Sequence, residues 1–582
     1  MKTLFKYFKP NAAMMIIGLI LKFSGAITDL LIPYFLAKIL DVALPEVLDK
    51  GLETYTFTDL WPIWRYALIM IGCALLSISF NIISNYCAAN SSGRITKALR
   101  HDLFAKITYL SEKNTDKFSL PTLISRLTSD TYNVNRMLAR IQRMGVRAPI
   151  ILIGGIIITL TMDPVLTLVL VSTLPFISLL VYKISKKGIP IYSEAQKKLD
   201  KTIRVAEENI TGIRVVKSLS KTEYEKNRFH EANTELADTE KHASVVMALT
   251  NPACSFILNL GLCFVVLVGS YRINGGITGA GTIVAFLNYF TIILNSTIAI
   301  TNIFIMYTKG AASAQRIEEV LLVEDNMPLM DIDPVDSPYL IEFDGVSFSH
   351  DKVKNNLYNV SFGIRKGETL GIIGPTGSGK TTIVRLLLRF YDPDSGSIRI
   401  NGRDIRSIKP EEFRTMFGTV FQNDFIYSDT LQENIDFGRE IDEELRRKAI
   451  STAQAEEFIN SYDDGLEHMV AIRGANLSGG QKQRVFLSRA LAGSPEILIL
   501  DDSSSALDYK TDANLRKALN ENYGDVTSVV VAQRVSTIMN AEHILVIDKG
   551  NVIGYGTHDE LLEKCPYYKE IADIQIGGGL VG

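Results

Sequence analysis

Six apolar stretches, each long enough to cross a lipid bilayer as a helix, constrain this chain more than any other feature. A hydrocarbon core about 30 Å thick takes about 20 helical residues. The third and fourth stretches are separated only by Met162, Asp163 and Pro164, which predicts a tight helical hairpin. We therefore predict an α-helical transmembrane domain in contact with a lipid bilayer, with spans near residues 12–38, 62–89, 144–162, 164–183, 252–272 and 280–308.

The loops between these stretches differ in charge, and the difference predicts their orientation. The N-terminal segment and the segments 90–143 and 184–247 are rich in Lys and Arg, whereas one short loop carries acidic residues, namely Asp41, Glu46, Asp49, Glu53 and Asp59. Cytoplasmic loops of membrane proteins carry an excess of Lys and Arg. We therefore predict a multi-pass protein of the cell membrane with both termini in the cytoplasm.

The two long charged segments repeat apolar residues at helical spacing, so we expect them to continue the spans into water as intracellular helical extensions. Each is predicted to turn once, near Thr115–Pro121 and near Thr211–Ser218. Turns of this kind can carry force from a cytoplasmic domain to the membrane. A solvated charged helix describes the remainder of each segment.

Several polar residues lie inside or beside the apolar stretches. Charges in lipid are costly, so Lys22 and Asp29 are predicted to face a protein interior or a wet cavity. Residues 288–295 offer a mixed polar and aromatic surface, through Asn288, Tyr289, Phe290 and Asn295, that suits either a binding cavity or ordinary helix packing. We interpret Asp41 as a solvated loop charge, with an outer gate shared with a partner as the alternative.

The rest of the chain has the composition of a soluble α/β domain. We predict a transmembrane domain with an N-terminal elbow over residues 1–321, an acidic, Pro-containing linker over 322–338, an α/β domain over 339–575 and a tail over 576–582. The whole chain has 61 Lys and Arg against 64 Asp and Glu, a formal charge of −3. This near-balance gives no electrostatic reason to bind nucleic acid.

The sequence GPTGSGKT follows a strand-like run and matches the GxxxxGK[ST] phosphate-binding loop in its expected context. Glycines let such a loop curl so that backbone N–H groups meet phosphate oxygens, and the next helix adds its positive end. Lys380 is expected on the β- and γ-phosphates and Thr381 on Mg²⁺. The predicted ATP-binding residues here are Gly374, Pro375, Thr376, Gly377, Ser378, Gly379, Lys380, Thr381 and Thr382.

Two further patterns complete the nucleotide chemistry. The apolar run EILIL delivers Asp501 to the end of a buried strand, where an acid completes a Mg²⁺ site. NLSGGQKQR begins a second apolar helix, and its Ser–Gly–Gly stretch makes an anion site. Almost 100 residues separate it from the phosphate loop. It therefore need not serve the same nucleotide.

These motifs resemble those of ATP-binding-cassette (ABC) exporters, specifically half-transporters with six spans and one P-loop NTPase domain of ABC type. The resemblance implies that Gln422 is a nucleotide and Mg²⁺ contact and that two domains dimerise head-to-tail, each ATP lying between one phosphate loop and the other signature. The implied signature is Leu477, Ser478, Gly479, Gly480 and Gln481. The implied D-loop is Ser505–Asp508, with Asp508 at the nucleotide.

Three positions expected at the nucleotide depart from the family pattern. Asp502 stands where the family has a catalytic glutamate, and Gln533 where it has a histidine that contacts the γ-phosphate. Both changes affect the hydrolytic step, whereas Lys380, Thr381 and Asp501 remain. His350 replaces the tyrosine that stacks on adenine, and imidazole offers a smaller face.

The pattern is similar to that of heterodimeric bacterial multidrug exporters. It implies a subunit that binds Mg·ATP, hydrolyses it slowly, and lends an intact signature to a second, non-identical half-transporter. The expected substrate is a small amphipathic molecule. A peptide or lipid exporter, and an ATP-gated channel or regulatory subunit, remain alternatives.

Overall fold

A computed structural model describes residues 2–49, 56–324, 327–350, 352, 354–422, 424–502 and 507–577. The chain forms two compact units. The first comprises the residues up to Tyr109 together with Ser119–Val323, and the second comprises Leu110–Phe118 together with the residues from Glu324 onward. The expected D-loop residue Ser505 and the end of the expected tail lie outside the described residues.

The first unit is built of helices. Its described residues include six helical stretches long and apolar enough to cross a membrane, as the sequence predicts. The helices are α1 (Lys2–Phe8), α2 (Ala12–Lys38), α3 (Leu44–Leu48), α4 (Trp61–Thr108), α6 (Leu120–Ser125), α7 (Thr131–Arg140), α8 (Arg147–Met162), α9 (Pro164–Thr211), α10 (Ile213–Ser218), α11 (Thr222–Ala248), α12 (Thr250–Asn274) and α13 (Ala280–Leu321). Helix α5 (Glu112–Phe118) belongs to the second unit.

The two longest of these helices extend far beyond the thickness of a bilayer. Helices α4 and α9 contain 48 residues each. At 1.5 Å per residue each extends about 72 Å, against a hydrocarbon core of about 30 Å. The predicted continuation of the spans is therefore confirmed. Helix α10 occupies the second predicted turn. Helix α9, which precedes α10 in the chain, packs against α11, which follows it.

The hairpin between α8 and α9 is fixed by Asp163, whose side chain is 1% exposed. Its carboxylate accepts hydrogen bonds from the backbone N–H groups of Val165 at 2.9 Å and Leu166 at 3.2 Å, and from Arg272 Nε at 2.7 Å. The first N–H groups of a helix lack intrahelical partners. Asp163 thus caps α9 while binding α12.

Asp41 has a similar role, and our interpretation of it as a solvated loop charge is wrong. Its carboxylate accepts from the backbone N–H groups of Gly281 at 2.5 Å and Thr282 at 2.7 Å. Both groups lie in the first turn of α13, where N–H groups need an outside acceptor. Asp41 therefore attaches the end of the first span to the start of the sixth.

The second unit contains two sheets and the helices around them. Its strands are β1 (Ile341–Phe348), β2 (Leu357–Ile364), β3 (Thr369–Ile373), β4 (Ser395–Ile400), β5 (Arg403–Asp404), β6 (Phe417–Val420), β7 (Ile497–Asp501), β8 (Thr527–Val531), β9 (His543–Asp548) and β10 (Asn551–Gly556). Its further helices are α14 (Lys380–Leu387), α15 (Pro410–Thr415), α16 (Leu431–Asp436), α17 (Glu443–Thr452), α18 (Glu456–Asn460), α19 (Gly479–Ala492), α20 (Tyr509–Tyr523), α21 (Val535–Ile538), α22 (His558–Lys564) and α23 (Pro566–Ala572).

The smaller sheet has the order β2-β1-β4-β5 and is antiparallel. The larger has the order β10-β9-β3-β8-β7-β6, in which the last five strands run parallel. Strands with both faces covered are expected to be continuously apolar. All five residues of β7 are buried, which agrees with the strand predicted from EILIL.

Candidate functional site

Four neighbouring parallel strands of the larger sheet end at one edge, and a candidate site residue lies at or after each end. Strand β3 leads to Gly374, β8 leads to Gln533, β7 ends at Asp501 and β6 leads to Gln422. Ligands of open α/β sheets bind beyond the carboxyl ends of the strands. The topology thus brings four separate sequence motifs to one site.

The loop between β3 and α14 requires glycine at two positions. A Cβ atom on Gly374 would lie 2.0 Å from the carbonyl oxygen of Ile547. Gly379 has a φ of +111°, and a Cβ there would lie 2.8 Å from a methyl carbon of Leu357. A side chain is therefore excluded at Gly374 by close contact, and at Gly379 by both contact and backbone conformation.

Lys380 begins α14 and points back into the loop. Its Nζ donates to the carbonyl oxygens of Gly374 at 2.8 Å and Pro375 at 2.9 Å. Burial lowers the pKa of Lys380, and the nearby Asp501 and Asp502 oppose this shift. Carbonyl oxygens hold this ammonium group over the loop. A phosphate group is a stronger, charged acceptor, so it can replace them as the hydrogen-bond partner of Lys380.

The remaining loop residues fit a bound triphosphate. Ser378 is 2% exposed, and its hydroxyl group has no hydrogen-bond partner among the described residues. Thr376, Gly377 and Thr381 are exposed, whereas Thr382 is 9% exposed and packs inward. A buried unpaired hydroxyl and an exposed Gly-rich loop at a helix start are the features expected of a phosphate cradle.

The candidate Mg²⁺ ligands differ in exposure. Asp501 is 4% exposed, and burial together with the neighbouring Asp502 raises its pKa. Thr381 and Gln422 are exposed. Carboxylate, hydroxyl and amide oxygens are the donors that Mg²⁺ takes in proteins, together with phosphate oxygens. These three residues therefore fit the metal, which would neutralise phosphate charge when bound.

Asp502 and Gln533, the two departures from the family pattern that affect hydrolysis, lie in direct contact. Gln533 Nε2 donates to Asp502 Oδ2 at 3.1 Å. Asp502 has a φ of +51°, a conformation that Asp tolerates better than most residues. Burial raises the pKa of Asp502, against the opposing effect of Arg534 and Lys380. The carboxylate is thus held by a neutral amide that cannot take up a proton.

A second glutamine, which the sequence analysis missed, holds this segment. Gln575 Oε1 accepts from the backbone N–H of Val535 at 2.7 Å, and its Nε2 donates to the carbonyl oxygen of Gln533 at 3.1 Å. Gln575 thereby bonds both sides of the loop that carries Gln533. It lies 42 residues further along the chain, and a single glutamine near a C-terminus gives no sequence signal for such a contact.

The signature residues form the start of α19. Ser478 and Gln481 make a reciprocal cap, in which Ser478 Oγ accepts from the Gln481 N–H at 3.3 Å and Gln481 Oε1 accepts from the Ser478 N–H at 2.8 Å. Leu477 is 7% exposed and anchors the turn, while Gly479 is exposed. Gly480 follows in the first turn of α19. The arrangement presents a preformed helix start to solvent.

Asp508 has local partners. Its two carboxylate oxygens accept from the backbone N–H of Thr511 at 2.9 Å and the Thr511 hydroxyl at 2.7 Å. These bonds cap α20 and lower the pKa of Asp508.

The expected adenine contact, His350, has an exposed ring. It lies edge-on to Phe348 and to Tyr391, with centroid distances of 4.8 and 4.9 Å. The Tyr391 hydroxyl in turn donates to Asp116 of α5 at 2.6 Å. A chain of contacts therefore runs from the expected adenine position to α5.

Helix α5 has a second contact with the phosphate-binding region. Glu112 lies 3.6 Å from Arg385 of α14, the helix that begins at Lys380. Burial raises the pKa of Glu112, while Arg385 opposes the shift. Helix α5, which overlaps the first part of the predicted turn near Thr115–Pro121, is thus bonded to the nucleotide domain within the second unit.

A helical domain with six apolar spans, joined to an α/β domain whose phosphate loop and acidic strand end meet at one sheet edge, defines a membrane-bound P-loop nucleotide-binding protein. The family profile "ABC transporter transmembrane region" matches residues 15–297, and the profile "ABC transporter" matches residues 357–505. The ABC domain implies nucleotide binding, for which Mg²⁺ is generally required.

Relatives of known sequence extend over nearly the whole chain. An uncharacterized ABC transporter ATP-binding protein of Bacillus subtilis, YfiB, is 34% identical over 99% of both chains. The ATP-dependent lipid A-core flippase of Vibrio vulnificus is 29% identical over 99% of this chain and 97% of its own. The chain belongs to the ABC transporter family and is a half-transporter, with one transmembrane domain and one nucleotide-binding domain.

A solved structure shares the fold. The ATP-bound structure of a bacterial Atm1-family ABC exporter has a TM-score of 0.80, with 23% identity, over 97% of this chain and 98% of the other. The predicted fold class is therefore confirmed, and the protein is a multi-pass membrane protein.

Proposed function

We propose that this chain is one subunit of an ATP-driven bacterial exporter that pairs with a second, non-identical ABC half-transporter. Its own phosphate loop, with Lys380, Thr381, Gln422 and Asp501, holds Mg·ATP and hydrolyses it slowly. Its signature, which begins at Leu477, completes the faster site of the partner. Both termini and the 339–575 domain lie in the cytoplasm.

The observation that carries this proposal is the contact between Gln533 and Asp502. A general base must lie within hydrogen-bond distance of the water it activates. Asp502 is one methylene shorter than glutamate, and its carboxylate is engaged by an amide at 3.1 Å. Gln533 can donate a hydrogen bond to a phosphate but cannot supply positive charge. Hydrolysis is therefore impaired in two ways, through the position of the general base and through the missing positive charge at the γ-phosphate.

Nucleotide binding is not weakened in the same way. Lys380 bonds the loop, the buried Ser378 hydroxyl has no partner within the described part of the chain, and Asp501 remains at the strand end. The cap of Ser478 and Gln481 is complete. An impaired site beside an intact signature supports pairing with a chain of different sequence, because two identical copies would share two impaired sites.

The substrate that we propose is a small amphipathic compound, as in multidrug efflux. A lipid is the second candidate, because the lipid A-core flippase resembles this chain over 99% of its length. Two features support a membrane-derived substrate in either case, namely the six spans and the polar side chains within them.

Purification of the chain alone tests the proposal. We expect it to bind Mg·ATP with a stoichiometry near one per chain and to release phosphate slowly. The unmodified chain should gain hydrolytic activity on mixing with its partner, and this gain should be lost when Ser478→Arg blocks the signature. Fast phosphate release by the chain alone would contradict the proposal.

A further inference from the structure

A buried lysine lies within the spans of the first unit. Lys22 of α2 is 4% exposed. Its Nζ donates to the amide oxygens of Asn81 at 2.8 Å and Asn85 at 3.2 Å, both on α4. These partners are neutral, so they accept two of the three possible hydrogen bonds of the ammonium group without cancelling its charge.

The polar network continues from Lys22 to a second cation. Asn81 Nδ2 donates to Ser77 Oγ at 3.1 Å, and the Ser77 hydroxyl donates to Asp29. Arg147 of α8 donates to the other oxygen of Asp29 at 2.8 Å. The network therefore contains two cations and one carboxylate. A net positive charge within a membrane is expensive, and such groups generally mark a substrate or ion site.

Arg147 also lines a cavity. The cavity has a volume of about 290 Å³ and is lined by Arg147, Asn295 and Ser296 together with the apolar Met144, Ile151 and Ile292. The Nε atom of Arg147 is buried and lacks a hydrogen-bond partner among the described residues. Its side chain is 43% exposed. A guanidinium group has five N–H donors, so Asp29 leaves donors for a second anion.

The composition of the lining selects an amphipathic ligand. The lining includes a cation, an amide and a hydroxyl together with aliphatic side chains. Of the residues 288–295 considered from the sequence, Tyr289 and Phe290 are 0% and 3% exposed and pack in the core. Asn295 alone of the four named there lines the cavity.

The position of the cavity agrees with a ligand taken from the bilayer. Arg147 is 15 residues from the other end of α8 at Met162, and Asn295 is 15 residues from the start of α13 at Ala280. Each distance corresponds to about 22 Å along a helix. Both residues thus lie within an apolar core about 30 Å thick, in the half away from the α8–α9 hairpin.

We propose that this cavity binds the headgroup of an anionic amphiphile, with Arg147 as its main ligand and Asp29 as an internal counter-ion that the headgroup displaces. Asn295 and Ser296 bond the remaining headgroup oxygens, and Lys22 keeps the region positive. A carboxylate, sulfate or phosphate headgroup satisfies this chemistry. The assignment of the ligand as the transported substrate rests on the proposed function, whereas its binding does not require ATP.

Binding to the full-length chain in phosphatidylcholine nanodiscs, without nucleotide, tests the proposal. Isothermal titration would compare dodecyl phosphate, dodecylphosphocholine and dodecyltrimethylammonium, below their critical micelle concentrations. We expect dodecyl phosphate to bind at least about ten-fold more tightly, since a buried charge-assisted hydrogen bond contributes about 1.5–3 kcal/mol. Equal binding of the three amphiphiles, or preference for the cation, would overturn the proposal.

Substitutions of Arg147 and Asp29 distinguish recognition of the anionic headgroup from a purely structural role of these side chains. Arg147→Gln should abolish the preference for dodecyl phosphate, Arg147→Lys should keep most of it, and Asp29→Asn should increase the affinity. Arg65→Gln, which removes a guanidinium group of α4 outside the cavity, is the matched control and should change nothing. If Arg147→Gln does not fold, Asn295→Asp serves instead and should weaken binding of the anion. Retained preference in either variant would contradict the proposal.

Two competitors identify the source of the headgroup. Phosphatidic acid in the nanodisc should compete with dodecyl phosphate if the natural ligand is a membrane lipid, and absence of competition together with binding of dodecyl phosphate indicates a soluble amphiphile. Inorganic phosphate should not compete, and equal competition by it would overturn the requirement for an apolar chain. Because these titrations contain no ATP, a chain that hydrolyses ATP rapidly would refute the proposed function and leave this result intact.

Discussion

The phosphate loop and the Asp502–Gln533 pair lie at the same sheet edge but differ in their fit to ATP hydrolysis. Around Lys380 the backbone is shaped by glycines that admit no side chain, and the loop retains its charged residue and its hydroxyl groups. At Asp502 and Gln533 a shorter acid is bonded to a neutral amide. The comparison separates a region whose geometry fits nucleotide binding from a pair of residues that, under the proposed function, slows hydrolysis.

The largest expected effect is on the affinity of the phosphate loop for Mg·ATP. Lys380→Ala should weaken Mg·ATP binding to the purified chain by about 100-fold, because it removes charge-assisted bonds worth about 1.5–3 kcal/mol. Titration with a fluorescent ATP analogue measures this. Ser478→Ala is the control, since the signature is proposed to serve the partner's nucleotide. An equal loss of binding in both variants would show that one nucleotide contacts both regions in the same chain.

Restoring the family residues should change hydrolysis rather than binding. The double substitution Asp502→Glu with Gln533→His should raise phosphate release by about 30-fold, less than the roughly 10²–10⁴-fold of a positioned general base because Asp502 already supplies a carboxylate. Asp501→Asn in the same background is the control and should abolish the gain, because it removes the metal ligand. An unchanged rate in the double variant would show that these two residues do not limit hydrolysis.

Helix α5 should respond to the loss of a single hydroxyl group. Tyr391→Phe removes the bond to Asp116, and a hydrogen bond to a charged group is worth about 1.5–3 kcal/mol. We expect amide hydrogen exchange of residues 112–118 to accelerate by about ten-fold with ATP affinity retained. Tyr555→Phe, which removes a hydroxyl bonded to Gly363 in the same domain, is the matched control. If amide exchange of residues 112–118 is unchanged in Tyr391→Phe, the hydrogen bond between Tyr391 and Asp116 does not stabilise α5.

The binding of Mg²⁺ should weaken on mild acidification. Burial raises the pKa of Asp501, so its carboxylate takes up a proton at a higher pH than an ordinary aspartate. Protonation removes the charge that holds the metal, and we expect weaker Mg²⁺-dependent nucleotide binding at pH 5 than at pH 7. Asp508→Asn should leave this profile unchanged, since the pKa of Asp508 is lowered. A flat profile in the unmodified chain would contradict the role of Asp501.

The raised pKa of Asp501 has the opposite consequence for the folding stability of the metal-free protein. Its contribution favours the folded state at low pH, whereas metal binding is favoured at high pH. Because the folded pKa of Asp501 is raised above its unfolded value, the folded state binds the proton more tightly. The contribution of Asp501 to the free energy of unfolding therefore falls as pH rises through its folded pKa.

The smallest effect is expected at Gln575. In the Asp502→Glu, Gln533→His background, Gln575→Ala should lower phosphate release by about three-fold, because ordinary hydrogen bonds contribute about 0.5–1.5 kcal/mol. The Michaelis constant for ATP should stay constant if Gln575 only positions residue 533. Gln575→Glu should recover part of the loss, since its carboxylate still accepts from Val535. An increased Michaelis constant with an unchanged maximal rate would contradict this role.

Local patterns predicted the elements, and the chain topology explains why they also predicted much of the site. Apolar length gave the six spans, and GPTGSGKT after a strand gave the phosphate loop. Parallel strands brought Asp501 and Gln533 together because each motif follows a strand end. The proposed roles of these residues stay predictions.

Contacts between residues distant in the sequence were not predictable in the same way. Asp41 bonds residues 240 positions away, and Arg147 bonds Asp29 across 118 positions. Neither contact produces a periodic pattern in the sequence, because each depends on which faces of two distant helices pack together. The cap formed by Asp41 was missed for this reason, as was the contact of Gln575 with the loop of Gln533.

Single-turnover measurement on the purified chain tests the central claim most directly. With ATP labelled at the γ-phosphate, Mg²⁺ present and the chain in molar excess over ATP, we predict that the chain alone retains nearly all of its bound nucleotide as ATP over many minutes. Addition of the partner subunit should start phosphate release at the partner's site only. Conversion of most of the nucleotide to ADP by the chain alone within seconds would contradict the account.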